Sequence, residues 1–119
     1  MSVSQDNTIK TFENYLSPNK KDMKTTTSRH DNHTGRWLST FKPTFDPKQP
    51  AAFVMGSMLQ PRGVEIFNIN RSKSELSTVD LVHTYRSPFL ASVCSRNDIH
   101  PSRDIIACGN SSGRIHVLR

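Results

Sequence analysis

The chain repeats one short grammar three times, and that repeat limits the folds open to it more than any other feature. In "IHPSRDIIACGNSSGRIHVL", Ile99 to Leu118, a Pro-containing turn leads into the apolar run Ile105-Ile106-Ala107-Cys108. A tight turn, Gly109 to Gly113, then leads into Ile115-His116-Val117-Leu118. Two short apolar runs around a Gly/Asn/Ser cluster predict a β-hairpin. Apolar residues at nearly every position predict a sheet covered on both faces. The same order recurs in "FDPKQPAAFVMGSMLQPRGVEIF", with Ala52 to Gly56 and Val64 to Phe67 as the paired runs. A third copy, "SVSQDNTIKTF", begins the chain. Its strand end at Phe12 lies 55 residues before Phe67, which lies 51 before Leu118. A period near 50 is the mark of stacked supersecondary units.

Composition narrows the partners. A chain of 119 residues holds at most one ordinary domain. The formal charge of +6 is concentrated between Pro18 and Lys48. That window holds Lys20, Lys21, Lys24, Arg29, Arg36, Lys42 and Lys48 against Asp22, Asp31 and Asp46. Such a loop suits an anionic partner and equally suits a solvated face. No run approaches the ~18 apolar residues of a membrane span, so no membrane partner is expected. No apolar segment follows a basic one at the start, so no signal peptide is read there. Cys94 and Cys108 predict two buried thiols in a reducing compartment and hence an intracellular protein, with a disulfide as the alternative.

Within the basic window stands "RHDNHTGRW", Arg29 to Trp37, which carries the chain's one Trp. An Arg for phosphate, a large ring for stacking and a Gly that permits close approach together make a nucleic-acid probe. The structural alternative is a Trp37 that packs on the rim of the fold and anchors the next strand. His30 and His33 form an HxxH pair with no third ligand nearby, so a solvated or phosphate-facing role is expected and no metal. Ser95 and His100 lack an acidic partner and an oxyanion turn. No catalytic constellation is present, so neither an enzyme nor a cofactor is expected.

The C-terminal hairpin looks like the end of a WD repeat, one four-stranded blade of a β-propeller. "TGRWL", "DPKQ", "VMGSM", "PRGVEIF", "SVCS" and "GNSSGRIHV", in that order, resemble the C-terminal end of proteins in the damage-specific DNA-binding protein 2 / WD repeat 76 family. The resemblance runs from Arg29 onward, with a shorter match over Ser2 to Phe12. Phe12, Phe67 and Leu118 stand where the repeat usually ends in Trp.

The resemblance implies an all-β, WD-repeat β-propeller, here a partial set of about two blades plus the end of a third. Residues 1–12 would end a preceding blade and 13–34 would form an inter-blade loop, with a mobile excursion over Ser17 to Ser28. A full blade would span 35–85, with strands at Leu38–Phe45, Ala52–Gly56, Val64–Phe67 and Thr78–Tyr85. A final blade, 86–119, would place strands at Leu90–Ser95, Ile105–Gly109 and Gly113–Leu118 and lack its outer strand. A fragment of a longer chain is therefore expected.

The resemblance further implies a nuclear, chromatin-associated DNA-binding protein of the DNA damage response. It implies a preference for modified cytosine bases such as 5-hydroxymethylcytosine, and service as substrate receptor of a cullin-4 ubiquitin ligase through the ligase's damage-binding adaptor. By position, the family's DNA-probing hairpin falls on Gly35-Arg36-Trp37. The expected DNA-binding residues are Arg29, His33, Arg36, Trp37 and Lys42. Arg62 and Arg114, in turns that propellers use for contacts, are the expected partner-binding residues. The WD-x-R box shown to the adaptor is absent from the nearest strand end, "IKTFENY". The rival reading is a protein-interaction scaffold without direct DNA binding, its basic loop contacting acidic protein.

Overall fold

The computed structural model describes residues 1–13, 16–71 and 77–119. Its strands form three antiparallel sheets. The first contains β1 (Ser2–Ser4), β2 (Thr8–Glu13) and β3 (Lys24–Arg29), in that order. The middle sheet has β4 (Thr44–Asp46), β5 (Gln49–Gly56), β6 (Gly63–Asn70) and β7 (Thr78–Arg86). The last has β8 (Arg96–Ile99), β9 (Ile106–Gly109) and β10 (Ile115–Leu118). A four-stranded meander flanked by two three-stranded ones is the architecture of a partial WD-repeat propeller.

β5 and β6 are sandwiched, and their alternation assigns each side chain to one neighbour. Phe53 and Met55 on β5 and Phe67 on β6 face the first sheet, where they meet Ile9, Phe41 and Val93. Val54 and Val64 face the last sheet, where they meet Leu90, Cys94, Ile99, Ile106 and Cys108. Phe53 and Phe67 stack with ring centroids 5.1 Å apart. Each such side chain contributes roughly 1.5–3 kcal/mol by leaving water. Glu65 interrupts the run "VEIF" and falls, by the same alternation, on the side of the first sheet. Both cysteines are free and buried among aliphatic side chains. A hydrogen bond between the two thiols holds Cys94 below its ordinary range and pushes Cys108 far above it, with burial adding to the rise at Cys108.

Three expectations are corrected. The innermost strands are shorter and later: Thr44–Asp46 replaces Leu38–Phe45, and Arg96–Ile99 replaces Leu90–Ser95. The apolar residues before them are buried as loop. Phe41 reaches Gly56, and Leu90, Val93 and Cys94 fill the seams. Apolar pattern reported burial here, and Pro43 denies the backbone a ladder donor. A Cβ at Gly56 would lie 2.1 Å from the Cys94 carbonyl oxygen, so the second of these loops crosses β5 where only glycine leaves room.

The stretch 13–34 is not all loop. Lys24–Arg29 pairs with the whole of β2, from Thr8 opposite Arg29 to Glu13 opposite Lys24. "KTTTSR" has three consecutive β-branched threonines, which suit an outer strand, but no apolar alternation to reveal it. Finally, β10 is not covered on both faces, since Ile115 and Val117 are exposed.

Candidate nucleic-acid interface

Because every pairing is antiparallel, successive connections leave opposite ends of the sheets. The connections 5–7, 30–43, 57–62, 87–95 and 110–114 all lie at one end. That end carries Arg29 at the close of β3, Arg36 and Lys42 in the next connection, and Arg62. It also carries Arg86 at the close of β7, Arg96 at the start of β8, and Arg114. The carboxylates there are Asp6, Asp31 and Asp98, the last lining one cavity with Lys42 and Arg96, apart from the buried Glu65. None of these seven cations is in an ion pair among the described residues.

The opposite end is different. Its cations are interleaved with carboxylates: Lys48 lies 3.0 Å from Asp46 and 3.7 Å from Asp104, and Arg71 lies 3.9 Å from Glu13. Burial raises the Asp46 carboxyl, but hydrogen bonds from the Lys48 backbone and ammonium outweigh this and hold it below its usual range. Among the described residues the first end is thus distinguished by how few carboxylates stand among its cations, while Lys20, Lys21, Lys24, Arg103 and Arg119 keep the opposite end basic as well.

The most prominent feature of that end is the connection 30–43. Its base is fixed by a buried polar network. His30 Nε2 lies 3.0 Å from Glu65 Oε2, and His30 Nδ1 lies 2.7 Å from Asn32 Oδ1. Asn32 Nδ2 donates to the carbonyls of Ser4 and Thr8 at 2.8 and 3.0 Å, and Asn32 N–H donates to Asn7 Oδ1 at 2.9 Å. The two amide donations leave Asn32 Oδ1 as an acceptor, so His30 donates from Nδ1. Its other nitrogen then lies against the Glu65 carboxylate. Phe41 and Phe67 pack edge-on against the imidazole.

Beyond this base the chain turns freely. Gly35 adopts φ +65 with nothing within 4 Å of a Cβ position, a left-handed turn that favours glycine. Trp37 at the tip is 85% exposed. Its partner is the Arg36 guanidinium, 5.7 Å from the ring centroid. Rim packing is therefore not what this Trp does here, and the ring is presented to solvent from a fixed base.

Each residue expected from sequence has a place. Arg29 lines a groove of about 820 Å³ between the first and middle sheets, beside Asp31, Leu59 and Leu81. His33 is exposed, its Nδ1 3.2 Å from Asn7 Oδ1. Arg36, Trp37 and Lys42 are exposed along the same connection. Arg62 turns back to donate to the Met58 carbonyl and so braces its own loop. Arg114 is exposed in a turn held by Asn110 Oδ1, which accepts from its backbone N–H at 3.0 Å.

His30 departs from expectation. It is buried and paired rather than solvated, because Glu65 and Asn32 satisfy both ring nitrogens. Sequence reasoning also missed Arg86 and Arg96, which stand far from the basic window. The signal was strand parity: each marks the end of a strand that opens on this same side. Among the described residues no group of His, Cys, Asp and Glu could hold a metal ion.

No protein-family model matches the chain, and no solved structure matches it. Curated relatives do. WD repeat-containing protein 76 of Xenopus laevis is 49% identical over 93 residues, 78% of this chain and 15% of the relative. The proteins of the same name from Rhinolophus ferrumequinum and Mus musculus are 47% and 45% identical over 78% and 77% of this chain, and 14% of each relative. The chain thus spans about 15% of the length of the curated relatives it matches. Identity at this level, on sheets built as propeller blades, shows that the chain belongs to the WD repeat-containing protein 76 family and matches a segment of its members.

Proposed function

We propose that the protein binds DNA through the basic end of its blades, with Trp37 as the stacking element. The role is binding rather than catalysis. The observation that carries it is the conjunction of an exposed Trp on a fixed base with seven cations that have no ion-pair partner among the described residues. Phosphate contacts by Lys and Arg supply affinity for any sequence, and stacking supplies contact with a base. In this reading Arg29, Arg36 and Lys42 contact phosphate, His33 lies beside them, and Arg62 and Arg114 extend the surface toward other chromatin proteins. A nuclear role in the DNA damage response, a preference for modified cytosine, and recruitment to a cullin-4 ligase through its adaptor belong to the same proposal.

The test is DNA binding by the full-length protein across a salt series, with unmodified and 5-hydroxymethylcytosine duplexes. Arg36→Ala is expected to weaken binding to both and lower the salt slope by about one unit. Trp37→Ala is expected to lower affinity about 5- to 150-fold, from stacking worth roughly 1–3 kcal/mol, with the slope unchanged and the preference between duplexes lost. If Trp37→Ala leaves affinity and preference intact, the basic end serves an acidic protein instead.

A further inference from the structure

We propose that Phe89 is a second stacking element, and that Trp37 and Phe89 together hold two bases of DNA that is locally unpaired. Such a role deepens the DNA reading and rests on it. Phe89 follows Trp37 by 52 residues, and the same 52 separate Thr44, which opens β4, from Arg96, which opens β8. In this register Leu38 matches Leu90 and Phe41 matches Val93. Both matched pairs pack inward: Leu38, Phe41 and Val93 on the seam toward the first sheet, and Leu90 on the seam toward the last. The aromatic position does the opposite in both copies. Trp37 is 85% exposed and Phe89 is 79% exposed.

Like Trp37, Phe89 stands on a fixed base. It occupies a turn in which the Leu90 backbone N–H donates to the Ser87 carbonyl at 2.9 Å and the Phe89 N–H donates to Ser87 Oγ at 3.2 Å. Pro88 fixes φ between them. Directly beyond the ring, Leu90, Val93 and Cys94 are buried. Ser92 ties this connection to the one that follows β9, its Oγ lying 3.2 Å from Ser112 Oγ and 3.3 Å from Asn110 Nδ2. Packing explains why the buried positions recur. It does not explain a recurring exposed ring, which gains nothing from burial in either blade and is unlike single apolar residues scattered over a surface. A ligand with flat faces supplies the reason. Arg36 precedes Trp37 and Arg86 stands three residues before Phe89, so both rings sit among the cations of one end. Rings beside cations suit bases beside phosphates. Neighbouring sheets pack about 10 Å apart, more than the roughly 7 Å, two van der Waals contacts, that would let two rings sandwich one base. Each ring therefore takes its own base, and the ligand has to offer two that are out of the stack. An intact duplex does so only by melting, whereas unpaired DNA is spared that cost.

The test uses the full-length protein, a DNA duplex, and the same duplex with a central run of unpaired thymines. The parent is expected to bind the unpaired form more tightly. Phe89→Ala is expected to weaken that binding about 5-fold or more at an unchanged salt slope, with a smaller loss on the intact duplex. Phe89→Trp is expected to keep the parent's affinity and Phe89→Leu to behave as Phe89→Ala does, because stacking needs a flat ring and not apolar surface alone. Combined with Trp37→Ala, the loss is expected to be the product of the two single losses, as for separate bases. If Phe89→Ala or Phe89→Leu binds as the parent does while Trp37→Ala weakens binding, the role of Phe89 is overturned and the DNA reading stands. A fall in Tm for Phe89→Ala would show a packed ring and also overturn it. A parent that binds neither DNA would remove the DNA reading itself, and this role with it.

Discussion

The two seams beside the middle sheet are closed by different chemistry. Toward the last sheet the contact is aliphatic: Val54, Val64, Leu90, Ile99 and Ile106 with the two thiols. Toward the first sheet, aromatic rings surround a buried polar network of His30, Asn32 and Glu65. An apolar seam is non-directional and tolerates changes of shape in proportion to volume lost. A polar seam is directional, and a half-broken one leaves a buried charge or an orphaned acceptor. The difference matters because the polar seam is also the root of the loop that carries Trp37. The chain uses the directional kind where an exposed element has to be aimed.

The largest expected effect breaks the polar seam. His30→Ala leaves Glu65 buried without its partner and should cost about 3–5 kcal/mol, read as a fall in the denaturant midpoint of the full-length protein. DNA affinity should fall with it, measured at a temperature where the variant is folded, because the base of the connection 30–43 is no longer held. A cost below 1 kcal/mol would show that the network is incidental.

A smaller effect is expected in the apolar seam. Ile106→Val removes one methylene from the cluster and should cost about 0.5–1.5 kcal/mol in the same unfolding experiment. It should leave DNA affinity unchanged, since the His30–Glu65 base of the connection 30–43 lies in the other seam. Equal costs for the two substitutions would erase the contrast between directional and non-directional contacts.

The smallest effect on stability belongs to the residue with the largest expected effect on binding. Trp37→Ala should change the unfolding free energy by no more than about 0.5 kcal/mol, because an exposed tip has little packing to lose. A drop several times larger would return the ring to a packing role and count against its use as a probe.

The turn-bounded apolar runs of β5, β6 and β9 were legible because burial on both faces writes a continuous hydrophobic run between Gly and Pro punctuation. The innermost strands were misplaced because a buried loop writes the same run. Phe41 and Val93 are as apolar as any strand residue, and only their neighbours show that they cross a seam. β3 was invisible for the opposite reason: an outer strand of Lys, Thr, Ser and Arg is held by its ladder with β2 and has no apolar signature.

By itself the sequence determined the strand-rich repeat, the family resemblance and the presence of a basic, Trp-bearing loop, since all of these are local in the chain. Tertiary structure decided that His30 meets Glu65 thirty-five residues away, and that Arg86 and Arg96 stand at the same end as Arg36. It also decided that Lys42 and Arg96 share one cavity. The physical reason is antiparallel pairing. It returns the chain to the same end once every second strand, so charges scattered along the sequence gather into one surface, and a lone Glu in an apolar strand turns to the one side where a histidine waits for it.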